Sequence, residues 1–119
     1  MPRYLISFDR GWMKVPEEEL ADVAAAGRAV LREAHDAGVF VFSGGIADDE
    51  PTTLVAPDGT VTDGPYPETK EMVGGFTILD VPTRADAVRW AAKIAAACRC
   101  AQEVREILPD ARVDELLAR

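Results

Sequence analysis

The chain has 119 residues, 48% of them hydrophobic and 29% charged, which suits one globular domain, spanning 1–119, that buries a core without disulfides or a metal. Its 13 basic residues against 21 acidic ones give a formal charge of −8. That balance argues against a nucleic-acid or anionic membrane partner, since both need clustered Lys and Arg.

No apolar run approaches the length of a transmembrane helix, and no basic stretch followed by an apolar one marks a secretory signal. Cys98 and Cys100 are too few and too close for a disulfide scaffold, so a reduced, cytoplasmic setting is expected.

Residues 3–8, Arg-Tyr-Leu-Ile-Ser-Phe, are β-branched and aromatic and predict a strand. Residues 9–15 are irregular. Pro16 followed by Glu17, Glu18 and Glu19 predicts a helix start, because proline suits the first turn and acids favour the positive end of the helix dipole. The helix extends to about Ala37, with Leu20, Val23, Gly27, Val30, Leu31 and Ala34 on one face and Gly38 as its stop.

Residues 39–43 are continuously apolar apart from Ser43 and predict a central strand. After the exposed turn at Asp48-Asp49-Glu50-Pro51, residues 52–56 predict a third strand. Pro57-Asp58-Gly59-Thr60 then signals a hairpin that returns through Val61. Residues 75–81 predict a largely buried strand.

Thr83 with Asp86 three residues on resembles a capping box for an alanine-rich helix from Arg84 to about Ala97. Its candidate buried face holds Ala87, Val88, Ala91, Ile94, Ala95 and Cys98. Residues 102–108 alternate as a last strand, and the tail from Pro109 has one helical turn's worth of apolar spacing in Val113, Leu116 and Leu117.

The order is strand, helix, strand, strand with an extra hairpin arm, strand, helix, strand. It predicts an α+β sandwich of ferredoxin-like type, a mostly antiparallel sheet with two helices on one face. The other sheet face has no helix to cover it, so a homodimer formed sheet to sheet is expected.

Residues 62–76 are the most informative stretch. They are rich in turn formers and charge, yet lie between two strand-like runs, and each ordered residue there costs roughly 1–2 kcal/mol of conformational entropy. The string Asp63-Gly64-Pro65-Tyr66-Pro67-Glu68-Thr69-Lys70-Glu71, then Gly74-Gly75-Phe76 and Asp80-Val81-Pro82, resembles the DGPF or YCII-related family. Trp90-Ala91-Ala92 fits the family's alanine-tryptophan element, and the resemblance runs from Tyr4 through Ile107.

The resemblance implies a dimeric α+β barrel. Most members look like proteins of unassigned function, and members are often found beside sigma factors of the extracytoplasmic type. Some relatives in the wider superfamily act on small aromatic or chlorinated compounds through a histidine and aspartate pair in a cleft beside the sheet. This chain departs from that pattern: its one histidine, His35, lies near the end of the first helix rather than around residues 24–27.

Two functions are therefore expected as alternatives. In the first, a small molecule is bound or transformed in a cleft between sheet and helices, bordered by the Asp63-Gly64-Pro65 loop. Asp63 is then the candidate catalytic acid or base, and Tyr66, Glu68 and Lys70 are candidate ligand-binding residues. In the second, the chain is a non-catalytic dimeric regulatory or interaction module.

Each residue also has a plainer reading. Asp63 before Gly-Pro suits a turn initiator, Lys70 and Glu71 suit a solvated ion pair, and Gly74-Gly75 suits a bulge or close backbone approach. His35 suits a helix residue that complements the negative end of the dipole, while Trp12 and Trp90 suit packing. Asp48-Asp49-Glu50 reads as a solvated loop, and Cys98-Arg99-Cys100 lacks partners at zinc spacing, so no metal is expected. No phosphate-cradling glycine loop or dinucleotide fingerprint appears, so no cofactor is expected either.

Overall fold

The computed structural model describes residues 1–47, 49, 51–64 and 72–118. The element order is β1 (Arg3–Asp9), α1 (Leu20–Asp36), β2 (Phe40–Gly45), β3 (Thr53–Val55), β4 (Val61–Asp63), β5 (Val73–Asp80), α2 (Arg84–Cys98), β6 (Glu103–Glu106) and α3 (Ala111–Leu117). Four strands form one sheet in the order β2-β5-β1-β6, with every pair antiparallel. This is the ferredoxin-like order expected from the chain, and β3 and β4 form a separate two-stranded hairpin arm.

The pleat sorts the side chains into two layers. Tyr4 lies opposite Leu79 and Ile6 opposite Thr77. Tyr4, Ile6, Leu79 and Val81 pack against Ala34 of α1 and Ala87, Ala91 and Ile94 of α2 to make the core. The small alanines let both helices lie close to the sheet. On the opposite face Leu5 is paired with Ile78 and Ser7 with Phe76, and no helix of the α1/α2 layer covers them.

An irregularity in β2 aims its aromatic residues to both sides. Phe40 is opposite Leu79, yet Phe42 is already opposite Ile78, so Val41 is the extra residue between them. Phe40 packs on the core, whereas Phe42 stays 57% exposed on the bare face, 5.9 Å from the Phe76 ring.

The helix ends follow the local chemistry. Gly38 adopts φ +77°, the left-handed stop expected after α1. Pro16 and the three glutamates form a 3₁₀ turn (Glu17–Glu19), and the α-helix proper begins at Leu20. Leu20 and Val88, which the periodicity places on the buried faces, are each 48% exposed: Leu20 is in the first turn of α1, ahead of buried Val23, and Val88 follows buried Ala87 on the outer side of α2.

At the far end, Asp110 caps α3 by accepting the backbone N–H groups of Arg112 and Val113. Arg3 is ion-paired to both Asp80 and Asp114, which ties α3 to the end of β1. No helix among the described residues is long and apolar enough to cross a membrane.

Candidate functional site

The sheet and helices do not close completely on each other. A cavity of about 170 Å³ lies between them at the β2 end of the sheet. Leu31 of α1, Ile94 and Cys98 of α2 and Phe8 of β1 supply apolar wall. Gly27 opens the α1 side: a Cβ built there meets nothing within 4 Å.

On the sheet side the cavity touches a pair of hydroxyls. Ser43 Oγ donates to the Phe76 carbonyl at 2.9 Å and lies 2.9 Å from Thr77 Oγ1. Thr77 is only 5% exposed and Ser43 half-buried, and the hydrogen bonds that link them are made within the protein. Gln102 lines the same cavity, its Nε2 directed at the Cys100 carbonyl and sulfur, both at 3.5 Å. Every described residue lining the cavity is uncharged. Burial pushes the Cys98 thiol above its ordinary pKa, which keeps it neutral and a poor nucleophile near pH 7. Burial acts on Cys100 in the same direction, and the neighbouring Cys98 adds to it.

One wall of the cavity depends on two glycines. A Cβ on Gly75 would stand 2.8 Å from the Phe8 ring, and one on Gly74 would stand 2.8 Å from the same ring and 2.9 Å from the Arg10 Cα. The glycines thus allow the close approach expected of them, next to a register shift between Phe8 and Asp9. Asp9 fixes this junction: its carboxylate accepts from the backbone N–H of Gly11 and of Met72, and Arg10 N–H donates to the Met72 carbonyl at 2.7 Å. Those bonds hold the Asp9 carboxyl below its ordinary pKa, Met72 most and Gly11 next.

The residues expected to form a site are placed differently. Asp63 is the last residue of β4, paired with Thr53 and exposed, and it does not line the cavity. Its side chain makes no hydrogen bond among the described residues; the backbone of the following Gly64 donates to the Thr52 carbonyl at 2.8 Å. Tyr66, Glu68 and Lys70 lie outside the described residues, as do Asp48, Glu50 and Glu71.

His35 is on the exposed side of α1, 77% open to solvent and 3.4 Å from the Asp36 carboxylate. Trp90 packs partly against the core with the Lys93 ammonium 5.3 Å from its ring centroid. Among the described residues no three His, Cys, Asp or Glu side chains converge as metal ligands.

The cavity residues carried little signal in the sequence. Ser43, Thr77 and Gln102 belong to no motif, and Gly27 sits inside a helical pattern where its missing side chain reads only as a weak point. What could have marked them is polarity within otherwise apolar strands: Ser43 after Val-Phe-Val-Phe, and Thr77 between Phe76 and Ile78.

The model of the YCII-related domain matches residues 12–110. The chain belongs to the YCII-related family. No curated protein matches it. The family match takes in the cavity wall from Gly27 to Gln102, together with the hairpin arm and both main helices.

Proposed function

We propose that this YCII-related protein binds a small molecule in the cavity between its sheet and helices. The observation that carries the reading is the cavity itself. An apolar space of about 150 Å³ is enough to hold a benzene-sized guest, and this one of about 170 Å³ combines apolar walls with a few convergent polar groups. Gly27 keeps it open at a cost, since a glycine inside a helix is destabilising by roughly 1 kcal/mol relative to alanine.

Asp63 remains the candidate acid or base for any reaction, with Tyr66, Glu68 and Lys70 beside it in the sequence as candidate contacts. In the described structure its carboxylate belongs to the hairpin arm, so a catalytic role requires a ligand that extends from the cavity toward that arm.

The working form is proposed to be a homodimer joined through the bare sheet face. The accessible surface of the chain is 8411 Å², whereas a compact monomer of 12.9 kDa exposes about 6,300 Å². The radius of gyration, 16.0 Å, likewise exceeds the roughly 13.5 Å of a compact domain of this length. The surplus of about 2,100 Å² per chain, about 4,200 Å² for a pair, falls within the roughly 2,000–5,000 Å² total that obligate homodimers bury.

A thermal-shift screen of small neutral molecules against wild type, Gly27→Leu and Asp63→Asn tests the site. Ligand stabilisation in wild type that disappears in a folded Gly27→Leu places binding in the cavity, and stabilisation that persists there removes it. Stabilisation retained in Asp63→Asn takes that carboxylate out of binding.

A further inference from the structure

We infer, resting on the cavity as the binding site, that its ligand is an uncharged molecule of about six to eight heavy atoms that presents a hydrogen-bond donor to the Ser43–Thr77 hydroxyl pair. A hydroxyl has one proton to give and two lone pairs to offer. Ser43 spends its proton on the Phe76 carbonyl at 2.9 Å. In the 2.9 Å contact between the two hydroxyls the proton must therefore come from Thr77.

Thr77 lines the cavity, and with that donation its hydroxyl has no proton left, so towards a guest it can act only as an acceptor. Gln102 points the same way. Its Nε2 is turned to the Cys100 carbonyl and sulfur, which leaves its amide oxygen as the unused polar atom. The hydroxyl pair and Gln102 thus offer a guest acceptors, beside the weak S–H donor of Cys98, and a guest matches those acceptors with an O–H or N–H of its own.

The described lining also disfavours charge. Among the described residues no Lys, Arg or His lines the cavity, so an anionic guest would lose its hydration with no counter-charge from them. No Asp or Glu among the described residues lines it either, so none of them supplies the compensation a cation would need. Size follows from the volume of about 170 Å³, slightly above that of a cavity that takes benzene.

Three probes of similar bulk separate these claims. Cyclohexanol offers a donor, cyclohexanone has the same number of heavy atoms but only an acceptor, and cyclopentanecarboxylate, one heavy atom larger, is charged. Dissociation constants are measured by titration monitored in amide-proton NMR spectra. Wild type is expected to bind cyclohexanol roughly two- to tenfold more tightly than cyclohexanone, the worth of one hydrogen bond, and to bind the carboxylate undetectably. The double variant Ser43→Ala, Thr77→Val is expected to bind both neutral probes with the preference removed, and its cyclohexanone binding shows that it is folded.

Equal affinity of wild type for the alcohol and the ketone overturns the donor requirement while leaving the cavity as a binding site. Carboxylate binding as tight as that of the alcohol overturns the neutral class. If none of the three shifts a cavity resonance, the inference falls together with the reading on which it rests.

Discussion

The Asp9 carboxylate holds Met72 across the sheet end: its Oδ2 accepts the Met72 backbone N–H at 3.0 Å, while Oδ1 accepts that of Gly11 at 2.8 Å. The side chain at the end of β1 thereby anchors the chain where it returns from the segment 65–71 into β5. Because these bonds favour the charged form, the Asp9 pKa is lowered in the folded state from its ordinary 3.8. A carboxyl lowered on folding contributes stability above its unfolded pKa and loses it as pH falls through the folded value.

Asp9→Asn, which keeps one acceptor and loses the charge, is therefore expected to be less stable than wild type at pH 7, with the gap narrowing below about pH 3.8. Urea midpoints at pH 7 and pH 3 check this. An unchanged gap at the two pH values would show that the charge is not what anchors Met72.

Gly74 and Gly75 meet the same junction from the other side. In Gly74→Ala the new methyl would stand 2.8 Å from the Phe8 ring and 2.9 Å from the Arg10 Cα, and backbone does not yield as a side chain does. Overpacking of this kind costs about 1–3 kcal/mol. Gly75→Ala presses chiefly on the Phe8 ring, with the Gly44 carbonyl 3.3 Å away, so it is expected to cost less than Gly74→Ala. Denaturant unfolding of the two variants side by side gives the order directly.

Thr83 caps α2 by accepting the Asp86 backbone N–H at 3.2 Å and donating its hydroxyl to the Asp86 carboxylate at 2.9 Å. The spacing of the two residues announced a capping box, but the short aspartate meets the hydroxyl rather than the Thr83 backbone. Thr83→Ala is expected to lower stability by about 1 kcal/mol. Thr83→Ser keeps the hydroxyl and should recover most of that loss, as thermal melts of the two variants would show.

What the sequence revealed and what it hid divide along physical lines. The end of α1 at Gly38, the Asp58-Gly59 turn with Gly59 at φ +90° and the capped start of α2 are set by residues a few positions apart, so local chemistry announces them. The β2-β5-β1-β6 order follows from the strand and helix succession and the antiparallel rule of the fold. The cavity depends on Gly27, Ser43 and Thr77, brought together by pairing across the sheet and by helix packing, and spacing in the chain has no access to that. Asp63 shows the reverse: its string identified the family, and the structure puts its carboxylate on an exposed hairpin.

Phe42 provides the sharpest test of the bare sheet face. It is 57% exposed beside the Phe76 ring, with Leu5 and Ile78 on the same face. Because it stands on the side away from the core, Phe42→Glu leaves the Phe40, Leu79 and Ile6 packing untouched. In a sheet-to-sheet dimer it would instead place a buried, unpaired carboxylate in the interface, a change that costs several kcal/mol. The expected outcome is a dimer for wild type and a folded monomer for Phe42→Glu by light scattering at micromolar concentration. A wild-type mass of one chain, or an unaltered dimer in the variant, would remove this face as the contact.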